Sequence, residues 1–124
     1  MLTLTYHHVA LHARSAEASF SFYQRLFNYR QVLRHESAGG GAILHLAQDH
    51  GAPILEIIEE QEPPHVPEQA VHLGFSCSNM KELLDRLQKL EVKIERGPLT
   101  VGKETLLFIR DPDGYLIEIN DGLE

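Results

Sequence analysis

The chain is 124 residues long, with 43% hydrophobic and 23% charged residues and a formal net charge of −7 with histidine neutral. That length holds one domain with a real core, and the balance is that of a globular protein, which excludes a disordered chain and a membrane-embedded one. No stretch gathers lysine or arginine into a stripe, which excludes nucleic acid as a partner.

In chain order, the segment before residue 5 has neither a basic n-region nor an apolar h-region, and no apolar run reaches membrane-spanning length, so a cytoplasmic protein is expected. Thr5 to Ala13 reads as a strand with His7, Val9 and Leu11 on one face and Tyr6, His8, Ala10 and His12 on the other. Ser15 is placed as a helix N-cap, and Ala16, Phe20, Tyr23 and Phe27 follow at helical spacing. Strands are expected over Tyr29 to Arg34, Ala42 to Ala47 and Pro53 to Glu59, with turns at Gly39 to Gly41 and Gln48 to Gly51. The acidic, proline-rich stretch Glu59 to Gln69 suits neither helix nor central strand and reads as a linker.

The second half repeats the order. Ala70 to Cys77 alternates as a strand, Asn79 with Glu82 makes a capping box, and Leu83, Leu84, Leu87 and Leu90 form a helix stripe. Short β segments are expected around Val92 to Ile94, Thr105 to Arg110 and Tyr115 to Asn120, with breaks at Gly97-Pro98, Val101-Gly102 and Pro112-Asp113-Gly114. The fold class is α+β: two β-α-β-β-β modules forming a curved, mostly antiparallel eight-stranded sheet within a single domain over 1–124. Module 1 covers about 4–60, the linker about 60–69 and module 2 about 70–122.

Each half carries a histidine in its first strand and a glutamate among aliphatic residues in its last. Glu56 follows His8 by 48 positions and Glu118 follows His72 by 46. Any one of these four alone is accounted for as the polar residue of a half-wetted strand. The recurrence of the pair at near-equal spacing is not. Strand parity points all four away from the helix-packed side, and two nitrogen with two oxygen donors suit one divalent transition ion per site, with nickel, cobalt, manganese, iron and zinc all open.

His8-Val9-Ala10-Leu11, Phe20-Ser21-Phe22-Tyr23, Leu55-Glu56-Ile57, His72-Leu73-Gly74-Phe75 and Asp111-Pro112-Asp113-Gly114-Tyr115-Leu116-Ile117-Glu118 together resemble the vicinal oxygen chelate superfamily. That group includes glyoxalase I, bleomycin and fosfomycin resistance proteins and extradiol dioxygenases. The resemblance implies a metal cleft in a fold of paired modules. It further implies a homodimer, with sites closed in one chain or shared between two. The set His8, Glu56, His72 and Glu118 is similar to the ligands of glyoxalase I. By that resemblance Glu56 and Glu118 are catalytic, moving a proton through a metal-bound enediolate of a small vicinal-oxygen substrate in lyase or isomerase chemistry. The alternatives are a metal-free small-ligand binding protein of the bleomycin resistance type and a dioxygenase or fosfomycin-modifying enzyme. The bacterial glyoxalase I enzymes have an arginine where this chain has His12, an asparagine where it has Glu60, and a glutathione-binding lysine without counterpart at Leu99 or Thr100. The resemblance thus covers the metal set and not the glutathione contacts.

His12 and His45 are candidate substrate contacts on the same face, and Arg96 and Lys103 are candidate anion contacts flanking a lid-like loop from Gly97 to Gly102. His7, on the opposite face from His8, is expected to be a packing or interface histidine on the helix side, and His35, His50 and His65 to be solvated in turns or linker. Asp111 and Asp113 are read as turn formers, and Cys77, the single cysteine, as a small buried packing residue that excludes an internal disulfide framework.

Overall fold

Ser15 and Asn79 have extended backbones and short polar side chains, the combination that starts helices, and each accepts a hydrogen bond from the backbone N–H three residues on. They open α1 (Ala16–Phe27) and α2 (Met80–Lys89). Asn28 closes α1 in the left-handed region, where asparagine is among the tolerated residues. In the computed structural model, which describes residues 1–51, 53–63 and 71–122, these helices stand within two repeats of β-α-β-β-β. The strands are β1 (His8–Ala13), β2 (Arg30–Glu36), β3 (Ala42–Ala47), β4 (Ile54–Glu59), β5 (Leu73–Ser76), β6 (Arg96–Val101), β7 (Glu104–Arg110) and β8 (Leu116–Asn120).

The chain divides into two units, Met1–His65 and Val66–Glu124. Each carries its own four-stranded sheet, in the order β1-β4-β3-β2 in the first and β5-β8-β7-β6 in the second. In both, the first and last strands of the module pair in parallel and the remaining pairs are antiparallel. Alternation along the strands sorts the faces. In module 1 Leu11, Ala13, Leu44, Leu46, Leu55 and Ile57 are buried together with Ala16, Tyr23, Leu26 and Phe27 of α1. In module 2 Leu107, Ile109, Ile117 and Ile119 are buried, as is Leu87 of α2. Burial also pushes the Tyr29 phenol pKa up.

Glu59 ties three elements of module 1 together. Its carboxylate accepts from the N–H of Ala16 at 2.9 Å, the first residue of α1, and from the N–H of Ala42 at 3.3 Å, the first of β3. Those two backbone donors, Ala16 first, hold its carboxyl below the usual glutamate range. The chain reaches β3 through Gly41, where a Cβ would lie 2.4 Å from the Glu59 carbonyl oxygen, so only glycine permits the approach. In module 2 the Asp111 side chain accepts from the N–H groups of Asp113 and Tyr115 and closes the turn into β8, the role expected of it.

Several expectations are corrected. β1 begins at His8 and not at Thr5. No strand forms over Val92 to Ile94. The strand there is β6, and it includes the Gly97-Pro98 pair read as a break and most of the segment read as a lid. Proline lacks the ladder donor, but β6 is the end strand of its sheet and its register with β7 shifts between Arg96 and Leu99, which accommodates it. His35 lies in β2 and not in a turn. Cys77 follows β5 and is half-exposed rather than buried. His65 lies outside the described residues. Among the described residues no helix is long and apolar enough to cross a membrane.

Candidate metal-binding site

Sheet register determines what surrounds each glutamate. In module 1, Glu56 pairs with Ala10 of β1 on one side and His45 of β3 on the other, and His45 pairs in turn with Leu33 of β2. In module 2, Glu118 pairs with Gly74 of β5 and Phe108 of β7, and Phe108 pairs with Arg96 of β6. The two modules therefore carry the same rung: a small residue two positions beyond a histidine, then a glutamate, then an aromatic ring. Laterally paired residues share a sheet face, so Ala10 and Gly74 leave space beside the carboxylates. A Cβ built at Gly74 meets nothing within 4 Å.

In module 2 the candidates meet directly. His72 Nε2 stands 3.1 Å from Glu118 Oε1, with side-chain exposures of 44% and 20%. Two ligands in adjacent octahedral positions, with bonds of about 2.1 Å, stand roughly 3.0 Å apart. The pair thus fits a divalent ion at its present separation. The other carboxylate oxygen, Glu118 Oε2, accepts from Asn120 Nδ2 at 3.3 Å. Asn120 is 2% exposed and also bonds Glu104 Oε2 and the Gly122 N–H, so its amide is fixed. The Phe108 ring meets His72 edge-on at 5.7 Å. Glu118 and His72 are both oriented by neighbours, as ligating side chains are.

Module 1 differs. Glu56 Oε2 bonds His45 Nε2 at 2.7 Å, with exposures of 16% and 17%, while Oε1 makes no hydrogen bond among the described residues. His8 bonds His7, Nδ1 to Nδ1, at 2.8 Å. If His8 ligates through Nε2, its Nδ1–H donates and His7 accepts, which fixes the ring as partners of ligating imidazoles commonly do. The His8 and His45 rings stack 6.4 Å apart, His7 lies 6.3 Å from His45, and His35 lies 5.9 Å from His45. His7 is therefore not a helix-side packing residue: it precedes β1 and its ring joins this bank of imidazoles. Alternation misplaces His7 because His7 lies outside β1, where alternation does not apply, and a turn at residue 35 misplaces His35, which lies in β2. His45 was seen as a face residue, but its pairing with Glu56 depends on register that periodicity does not carry.

The remaining candidates are spread out. His12 Nδ1 bonds Glu60 Oε1 at 2.7 Å at the far end of the β1–β4 pair. Arg96 begins β6 on the Glu118 rung, and Lys103 stands in the exposed turn between β6 and β7. His50, in its turn, bonds Gln48 Oε1. Among the described residues no three of His, Cys, Asp and Glu gather as a metal cluster; His72 meets Glu118 in module 2, whereas in module 1 Glu56 bonds His45 and His8 bonds His7.

The family model of the Glyoxalase/Bleomycin resistance protein/Dioxygenase superfamily matches residues 5–119. The chain belongs to this superfamily. Within it, the chain is 30% identical over 124 residues to glyoxylase I 4 of Arabidopsis thaliana, covering 90% of this chain and 67% of that protein. It is 24% identical to lactoylglutathione lyase of Pseudomonas aeruginosa, covering 92% and 80%. The fold matches a mutant of the fosfomycin resistance protein FosX from Listeria monocytogenes, complexed with Mn(II) and 1S,2S-dihydroxypropylphosphonic acid. That match has a TM-score of 0.80 at 17% identity and covers 99% of this chain and 95% of FosX.

Proposed function

We propose that this superfamily member is a divalent-metal-dependent enzyme of glyoxalase I type, acting on a small substrate with vicinal oxygens by isomerisation or elimination. The proposed ligands are His8, Glu56, His72 and Glu118, two from each module. The observation that carries the reading is the rung repeated in both modules, with a histidine two positions before the small residue beside each glutamate. The names of the Arabidopsis and Pseudomonas relatives support the same chemistry.

When bound, the ion supplies Lewis acidity towards the substrate's vicinal oxygens. The chain's own part is proton transfer and orientation. One carboxylate of the Glu56 and Glu118 pair takes a proton from carbon and a carboxylate returns it to the neighbouring carbon. Asn120 holds Glu118 by one oxygen and leaves the other towards His72. Ala10 and Gly74 leave room for substrate beside the carboxylates. A homodimer belongs to the same reading and is supported by the exposed apolar side chains Leu2, Leu4, Tyr6, Val32 and Leu33.

Elemental analysis of the purified protein should find about one divalent ion per two-histidine, two-glutamate set, the stoichiometry of a mononuclear site. E56Q and E118Q should each lower turnover of a methylglyoxal–thiol hemithioacetal by about 100-fold or more, the scale of a lost general base. Full turnover in both variants would remove the glutamates from the mechanism. A second reading, a fosfomycin-modifying enzyme, is favoured by the FosX match and its bound dihydroxyphosphonate. Fosfomycin consumption in place of hemithioacetal turnover would select it.

A further inference from the structure

One of the differences between the two rungs bears directly on the glutamate. Beside Glu118 the neighbouring antiparallel strand offers Phe108, which has no polar atom; beside Glu56 it offers His45, whose Nε2 lies 2.7 Å from Oε2. The pair is about five-sixths removed from solvent, with exposures of 16% and 17%. A bond between a largely buried imidazole and a carboxylate is among the stronger hydrogen bonds and fixes the rotamers of both partners. It engages one carboxylate oxygen and leaves Oε1 without a hydrogen bond among the described residues. If Glu56 is ionised it only accepts, and the His45 tautomer that pairs with it has its proton on Nε2. The His45 ring is itself flanked by His8, His7 and His35.

We infer that His45 is a positioning residue for Glu56. It occupies Oε2, presents Oε1 as the ligand atom, and so raises the affinity of the module 1 donors for a divalent ion. Module 2 obtains the same effect for Glu118 from Asn120, on its own strand. The inference rests on the proposed metal site and adds to it a residue that holds a ligand without touching the metal. Replacing such a partner costs roughly 10–100-fold in metal affinity.

The test measures cobalt(II) affinity by competition with a chromophoric chelator, together with the visible spectrum of the cobalt protein, for wild type, H45F, H45Q and E56Q. H45F places the module 2 residue at the module 1 position; H45Q keeps an N–H donor. H45F should bind cobalt about 10–100-fold more weakly, with H45Q recovering most of the loss and the wild-type spectrum. In the metal-free wild type, two-bond proton–nitrogen correlation spectra should show His45 protonated at Nε2, a readout that needs no variant to fold. Wild-type affinity and spectrum in H45F, with E56Q impaired, would overturn the role of His45 and leave the metal site standing. H45Q as weak as H45F would make His45 a ligand itself and overturn positioning. An Nε2 without a proton would do the same. A wild type that binds no cobalt would overturn the metal site and this inference together.

Discussion

Glu56 and Glu59 stand on one strand, three residues apart, and alternation sends them to opposite faces. Glu56 faces the open side and pairs with His45; Glu59 faces the helix side and accepts the N–H groups that begin α1 and β3. The sign of its pH effect follows from its lowered pKa. Its stabilising contribution is present above the ordinary glutamate range and is lost as pH falls through the depressed folded value. E59Q should therefore be less stable than wild type at neutral pH, with the gap to wild type closing in acid. Urea unfolding at pH 7 and pH 3 measures both. Residue type, parity and the His-to-Glu spacing that recurs in both halves were enough to bring Glu56 and Glu118 forward as candidates. They were not enough to find the partner of Glu56, since His45 is adjacent only across strands.

Elements were legible where local chemistry decides them. Ser15 and Asn79 marked both helix starts, and the β-α-β-β-β order was readable twice from periodicity. The misses have particular causes. A strand with Gly97-Pro98 inside it violates the usual turn signal, and only its place at the end of the sheet allows it. The start of β1 was put too early because Thr5 to His7 alternates as well as the strand itself does. The turn before β3 yields a sharper expectation. G41A drives a Cβ against the Glu59 carbonyl, whose side chain holds α1 and β3. The variant should lose about 1–3 kcal/mol, the scale of an overpacked site. A thermal midpoint equal to wild type would show that the turn relaxes freely.

For the whole molecule, the proposed ion would make metal binding and stability one equilibrium, because it would bind the folded chain and not the unfolded one. At a free metal concentration 100-fold above Kd, the folded state gains about 2.7 kcal/mol, and removing the ion with a chelator should lower the thermal midpoint by several degrees. E56Q and E118Q should lose most of that difference, whatever their turnover. The end strand β6 has a separate consequence for the protein at high concentration. All six of its residues are exposed, and an exposed strand edge is a template on which other chains can add and aggregate. Pro98 has no N–H to offer a neighbouring strand, and the shifted register beside it interrupts the run of regular pairing. The same irregularity that hid the strand in the sequence makes it a poor seed for intermolecular sheets.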